Sequence, residues 1–177
     1  DLMTKGGQVI AKGTGAEAAI ITSGGFAALT LAAAACIAGK DPEKMRRLPN
    51  TEGMKNEIII QRTHHSCYDN QLTAVGARLI DVETAADIRK AVNKRTALMF
   101  FMNKDDADGR IQRREWIGLA QGHKVPTLLD ADTHGLSGIG PSFGQEPNLA
   151  NSFGLGFDIS SNSEVSNNHL SVHFNGS

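Results

Sequence analysis

Residues 56–101, NEIIIQRTHHSCYDNQLTAVGARLIDVETAADIRKAVNKRTALMFF, decide the fold of this chain. Three short runs stand out in it: 57–61 (EIIIQ), 78–82 (RLIDV) and 97–101 (ALMFF). Each has the length and apolar, partly β-branched content of a buried strand and is too short for a helix. Ahead of the third run, Thr84 stands three residues before Asp87 and opens the helical stretch 85–92. That spacing lets a hydroxyl and a carboxylate satisfy the first free amides of a helix. Strand-like runs alternating with helical segments are the pattern of βαβ units around a mostly parallel sheet. The segment therefore predicts an α/β layer fold, a three-layer sandwich.

Outward toward the amino end, 18–22 (AAIIT) is expected as a further strand. It runs into Thr22-Ser23-Gly24-Gly25 and then the alanine- and leucine-rich stretch 25–38, expected as a helix buried on most sides and ended by Gly39, with Pro42 shortly beyond. Residues 40–55 carry Pro42, Pro49, Asn50 and Gly53 among charges and are expected as a loop. A connection of that length is more often functional than accidental. Toward the carboxyl end, 113–121 sets Trp116, Ile117 and Ala120 on one helical face, and 127–130 supplies another strand. From Asp132 on, Gly, Ser and Asn dominate and no strong helix is expected.

The chain has 177 residues, is 40% apolar and carries a formal net charge of −1, which suits one globular domain. No Lys or Arg follows Lys124, and the near-neutral balance gives no footprint for nucleic acid, so tRNA is not an expected partner. Cys36 and Cys67 share no CxxC spacing and read as reduced thiols of a reducing, cytoplasmic compartment. The apolar stretch 26–38 is too short to span a bilayer, so no membrane segment is expected. The chain opens at Asp1 without a Met and reads as trimmed at the front.

Four constellations could carry chemistry. Ser23, Gly24 and Gly25, between a strand-like run and a helix, let backbone amides approach an anion such as a phosphate. Taken alone, they suit better a tight strand-to-helix turn that needs small residues. Asp130, ending the run 127–130, lies where open α/β sheets bind ligands and could face a cationic group, or it could cap the next segment. His64 and His65, followed by Tyr68-Asp69, could lie against a flat ring or move a proton, or could be a solvated pair. His169 and His173 have the spacing of a helical metal pair, but HLSVH lacks the acidic partner of HExxH, and no metal is expected.

The motifs GTGAEAAIITSGG (13–25), LPNTEGMKNE (48–57), QRTHHSCYD (61–69) and VPTLLDA (125–131) occur in order. Together they resemble the selenocysteine-synthase-like family of fold-type I pyridoxal-phosphate enzymes. The resemblance extends to Asn148-Leu149 and Gly156-Phe157-Asp158-Ile159. It implies pyridoxal 5′-phosphate as cofactor, with Ser23, Gly24 and Gly25 near its phosphate, His64 beside its ring and Asp130 at its ring nitrogen. It implies a lyase or transferase acting on an amino-group-bearing small molecule, nearer to relatives that eliminate ammonia from amino-sugar acid phosphates than to those acting on seryl-tRNA. A homodimer is implied for an intact relative.

The resemblance is incomplete. The Schiff-base lysine of the family falls near Ser166, where serine cannot take its role. Asp132-Thr133-His134 replaces the family's small residues after the aspartate. The expected organisation is a partial cofactor-binding large domain over 1–159 and a divergent, weakly structured tail over 160–177. Two functions stay open: part of such a lyase or transferase, or an inactive relative that binds cofactor or phosphate or associates with an intact homologue.

Overall fold

The computed structural model describes residues 1–130 in full and the backbone of 153–157 and 170–174. The chain divides into two compact units, Thr22–Ala131 and Asp1–Ile21 with Asp132–Ser177.

In the first unit β1 (Glu57–Gln61), β2 (Arg78–Val82), β3 (Thr96–Met102) and β4 (Thr127–Asp130) form a parallel sheet in the order β2-β1-β3-β4. β1 and β3 are buried at every position, which explains why both read as continuous rather than alternating apolar runs. The period of two still divides their side chains. Ile58, Ile60, Leu98, Phe100 and Met102 pack with Leu29, Ala33 and Ile37 of α2 (Gly25–Ala38). On the opposite face Ile59, Val82, Met99 and Phe101 pack with Ile88 of α5 (Ala85–Ala91) and with Trp116 and Ala120 of α6 (Arg113–Gly122). Helices thus cover both faces, and the layers are α/β/α. Each large apolar side chain buried this way contributes roughly 1.5–3 kcal/mol.

The connections follow local chemistry. Thr84 caps α5 with the expected reciprocal box: its hydroxyl accepts from the Asp87 amide at 3.2 Å, and the Asp87 carboxylate accepts from the Thr84 amide at 3.0 Å. The Thr84 hydroxyl beside Asp87 holds that carboxyl below its usual range. α2 has the expected bounds and ends at Gly39, but it is buried on one face only. Phe26 and Leu31 remain 46% and 51% exposed, since the buried face is the one toward the sheet and α4.

Two other expectations are corrected. Residues 40–55 are not all loop: α3 (Pro42–Arg47) forms because the Asp41 carboxylate accepts from the amides of Glu43 and Lys44, with Pro42 preset for a first turn. Residues 18–22 are not a strand. They pair with no strand among the described residues, and Ile20 stays 73% exposed, so the β-branched composition found no ladder to join.

Beyond α3, the Thr51 hydroxyl donates to the Gly76 carbonyl at 3.0 Å, ahead of β2. Gly76 has φ 85°, and a Cβ there would sit 1.9 Å from the Pro49 carbonyl oxygen. Only glycine lets these two loops close. The short helix α4 (Asn70–Thr73) is held to α2 by the Thr30 hydroxyl, which donates to the Gln71 carbonyl at 2.8 Å.

In the second unit α1 (Leu2–Thr14) is capped by Asp1, whose carboxylate accepts from the Thr4 amide, and ends at Gly15 with φ 70°. β5 (Phe153–Phe157) and β6 (Leu170–Phe174) pair antiparallel, Phe153 opposite Phe174. β6 falls inside 160–177, and it makes HLSVH mostly strand, so the helical spacing of a metal pair does not apply to His173. His169 lies outside the described residues. No helix among the described residues is long and apolar enough to cross a membrane. Cys36 and Cys67 are free thiols, and burial pushes the Cys36 thiol up.

At the amino edge of the sheet the buried Glu57 carboxylate receives Arg95 at 2.7 Å, Arg78 at 3.1 Å and the Asn93 amide at 2.7 Å. Those partners stand beside the starts of β2 and β3, so one carboxylate holds three strand ends. Both arginines are largely exposed and the pairs are screened accordingly. Glu57→Leu is expected to cost about 1–3 kcal/mol in a urea unfolding curve. An unchanged midpoint would remove this clamp from the account.

Candidate active site

The strand order reverses direction between β1 and β3, and in open α/β sheets the crevice at such a switch, outside the carboxyl ends, takes the ligand. Two single-turn 3₁₀ segments follow those strands, Arg62–His64 and Asn103–Asp105. Gln61, the last residue of β1, is fully buried and cannot leave its amide unpaired. Its Oε1 accepts from the Ile111 amide at 3.0 Å, and its Nε2 donates to the Ile111 carbonyl at 2.9 Å. The loop after β3 is thereby pinned across the edge. Gly109 passes so close that a Cβ would lie 2.6 Å from Gln61 Nε2 and 3.0 Å from His64 Nε2.

His64 lies beneath this loop with no exposed surface. Its ring meets Phe101 edge-on at 4.5 Å, and Phe101 in turn leans on Trp116 at 5.9 Å. Nδ1 accepts from the Met102 amide at 3.2 Å, and Nε2 lies 3.2 Å from the Gln61 amide nitrogen. Burial pushes the imidazole below its ordinary range, while the Asp105 charge and backbone and the Asp106 charge oppose that shift and Lys104 assists it. A base whose pKa falls on folding contributes stability above its ordinary pKa of about 6.5 and loses it as pH drops below.

His65 is its opposite. Nδ1 contacts the Asp69 carboxylate and Nε2 lies 2.8 Å from Asp81 Oδ1. Partial burial works against the charged ring, but the two carboxylates outweigh it and hold His65 above the ordinary range. Nearby Arg62 reaches Glu83 at 3.2 Å and Asp81 at 3.8 Å, and Arg110 reaches Glu83 at 3.6 Å. A shallow depression of about 390 Å³ opens here, lined by Arg62, Asp81, Glu83, Asp87 and Lys90 among others.

Ser23, Gly24 and Gly25 are exposed at the start of α2. Gly24 takes φ 145°, a conformation that favours glycine, and the Thr22 hydroxyl donates to the Gly24 carbonyl at 2.9 Å. No side chain caps the helix, so its first amides keep their capacity for an anion. The chain leaves α2 for the segment that leads into the amino ends of the strands, so α2 begins toward the carboxyl edge, where Gln61 and Asp130 also lie. Asp130 ends β4 opposite Met102 and is partly exposed. It stands two strands from β1, about 10 Å across the sheet.

The fold therefore gathers Ser23, Gly24, Gly25 and Asp130 at one edge and sets His64 below it. Ser166 and Asp132, Thr133 and His134 lie outside the described residues. Sequence reading missed Gln61, Gly109 and the pairing of His65 with Asp81. A glutamine closing an otherwise apolar strand was the available signal, since a buried amide must find partners.

No family model matches the chain. It is 28% identical over 141 residues to D-glucosaminate-6-phosphate ammonia lyase of Salmonella typhimurium, covering 73% of this chain and 38% of that protein. It is 31% identical over 142 residues to 5′-C-glycyluridine monooxygenase-decarboxylase of a Streptomyces species, covering 73% of this chain and 36% of that protein. The chain thus spans under two fifths of the curated relatives it matches. Its fold resembles a solved structure of D-glucosaminate-6-phosphate ammonia-lyase with a TM-score of 0.69 at 26% identity, over 76% of this chain and 39% of that one.

Gln61→Leu strands the buried amide and carbonyl of Ile111, which is expected to cost about 2–4 kcal/mol and to open residues 106–112 to proteolysis. Denaturant midpoints and limited digestion check both. A variant as stable and as protected as the parent would show that the loop is held by something else.

Proposed function

We propose that this chain carries part of the cofactor-binding layer of a pyridoxal-phosphate-dependent enzyme of the selenocysteine-synthase-like kind, acting on the amino group of a small polar amino acid as an ammonia lyase does. The observation that carries the proposal is the likeness in both sequence and fold to D-glucosaminate-6-phosphate ammonia lyase. The names of both curated relatives contain an amino acid, a glucosaminate phosphate in one and a glycyl-bearing uridine in the other. A formal charge of −1 supports a small molecule over tRNA.

The residues present fit the cofactor. An uncapped 14-residue helix entered through Gly24 at φ 145° offers amides and favourable partial charge to a phosphate. Ser23, just ahead of that entry, would bring a hydroxyl as a further donor. A carboxylate at the position of Asp130 suits a protonated ring nitrogen and would hold the proton there. When bound, pyridoxal phosphate supplies an electron sink for charge developing at the substrate's α-carbon. His64 would lend shape and rigidity beneath the site. With Met102 at Nδ1 and burial holding the ring neutral, it is poorly placed to carry protons in and out. The wall over the crevice would come from the Gln61–Ile111 clamp.

The test is a spectroscopic binding titration with pyridoxal phosphate and with pyridoxal, which lacks the phosphate. Gly24→Val, whose side chain cannot take φ 145° without strain, is expected to weaken pyridoxal phosphate at least about tenfold and leave pyridoxal unchanged. Asp130→Asn is expected to weaken both. Equal affinity of the parent chain for the two compounds, or no effect of Gly24→Val, would overturn the proposal.

A further inference from the structure

The adjacent histidines are locked into opposite protonation states by what faces them. His64 has a backbone amide at Nδ1, so its ring must keep a lone pair there. His65 has a carboxylate at each ring nitrogen, Asp69 at Nδ1 and Asp81 at Nε2. A neutral imidazole has one N–H and one lone pair. Whichever nitrogen kept the proton, the other would turn a lone pair toward a carboxylate oxygen. The double grip is therefore satisfied only by the imidazolium.

The two carboxylates belong to different parts of the fold. Asp69 leads into α4 and also shapes that turn, accepting from the Ser66 amide at 2.9 Å. Asp81 lies on β2, the sheet's edge strand among the described residues. Of the other charges nearby, Arg62, from the turn before His65, reaches both Asp81 and Glu83, Arg110, from the loop after β3, reaches Glu83, and Asp87 and Lys90 of α5 line the same depression as Asp81. His64 contributes no charge. Asp81 thus keeps Arg62 when His65 loses its proton, whereas Asp69 has His65 as its only ion-pair partner among the described residues.

We propose that His65 is a pH-operated staple: as a cation it ties the turn Ser66–Thr73 to the edge strand β2, and on losing its proton it releases that turn. The segment freed is small: Leu72 anchors its end in the core, while the part before Gln71 stays outside it. Its α4 helix is a single turn, Tyr68 in front of it is exposed, and the Thr30–Gln71 hydrogen bond is its side-chain tie to α2. Stabilisation by a raised base is complete below the ordinary histidine pKa of about 6.5 and fades as pH climbs through the higher value held in the folded chain. Release is thus a response to rising pH. It stands on this geometry whatever cofactor the neighbouring edge holds.

The experiment is an NMR titration of the imidazoles of the full chain, paired with amide-exchange protection factors for Asp69, Gln71, Leu72 and Thr73, whose amides all bond within the turn. His65 is expected to titrate above about 6.5, and His64 to stay neutral throughout the folded range. Protection of the turn should fall roughly fivefold as His65 deprotonates. In His65→Gln the pH dependence of that protection should vanish, and in Asp81→Asn the His65 titration should move down. His65 titrating at or below the ordinary value, or an identical loss of protection in His65→Gln, would overturn the staple.

Discussion

A pair of parallel strands dry on both faces has to be covered on both, and β1 and β3 impose that requirement on everything around them. Their side chains point alternately into two separate cores. α2 must bring alanines and leucines to one side, and α5 and α6 must bring isoleucine and tryptophan to the other. Remove that double burial and the crossovers have nothing to close on. Among the described residues β2 and β4 are the edge strands; they are only partly covered and carry Asp81 and Asp130.

β1 itself shows how the same five residues serve fold and site. Three isoleucines fill the cores, while the polar residues at its ends face opposite edges of the sheet. Glu57 gathers arginines at the amino edge, where an ionic contact holds strand starts and no crevice is needed. Gln61 works at the carboxyl edge with a neutral amide, which can meet a donor and an acceptor together without bringing a charge into the interior. The two ends thus hold opposite edges of the sheet by different means.

What was legible in the sequence was local. The strand runs 57–61, 78–82 and 127–130, the Thr84–Asp87 cap and the glycine-rich entry to α2 depend on neighbours within a few residues, and the structure shows each at the expected place. The strand expected at 18–22 failed because β-branched composition cannot say whether a partner exists. α3 was hidden because prolines and charges mark a loop and a helix start alike until the Asp41 cap is seen. The partners of the site residues were illegible for a plainer reason. Gln61 meets Ile111 across 50 positions and His65 meets Asp81 across 16, and no periodicity encodes such pairs.

The bond between Gln61 and Ile111 has a further meaning. A carboxamide that accepts from one residue's N–H and donates to the same residue's C=O reproduces what a neighbouring strand would offer in a ladder. A side chain here stands in for main chain, adding one rung at the carboxyl end of β1. The substitution is chemically narrow. A carboxylate would turn a second acceptor on the carbonyl, an ammonium a second donor on the amide, and a hydroxyl would fall short of both. The loop after β3 is sewn to the sheet by a residue that imitates the sheet.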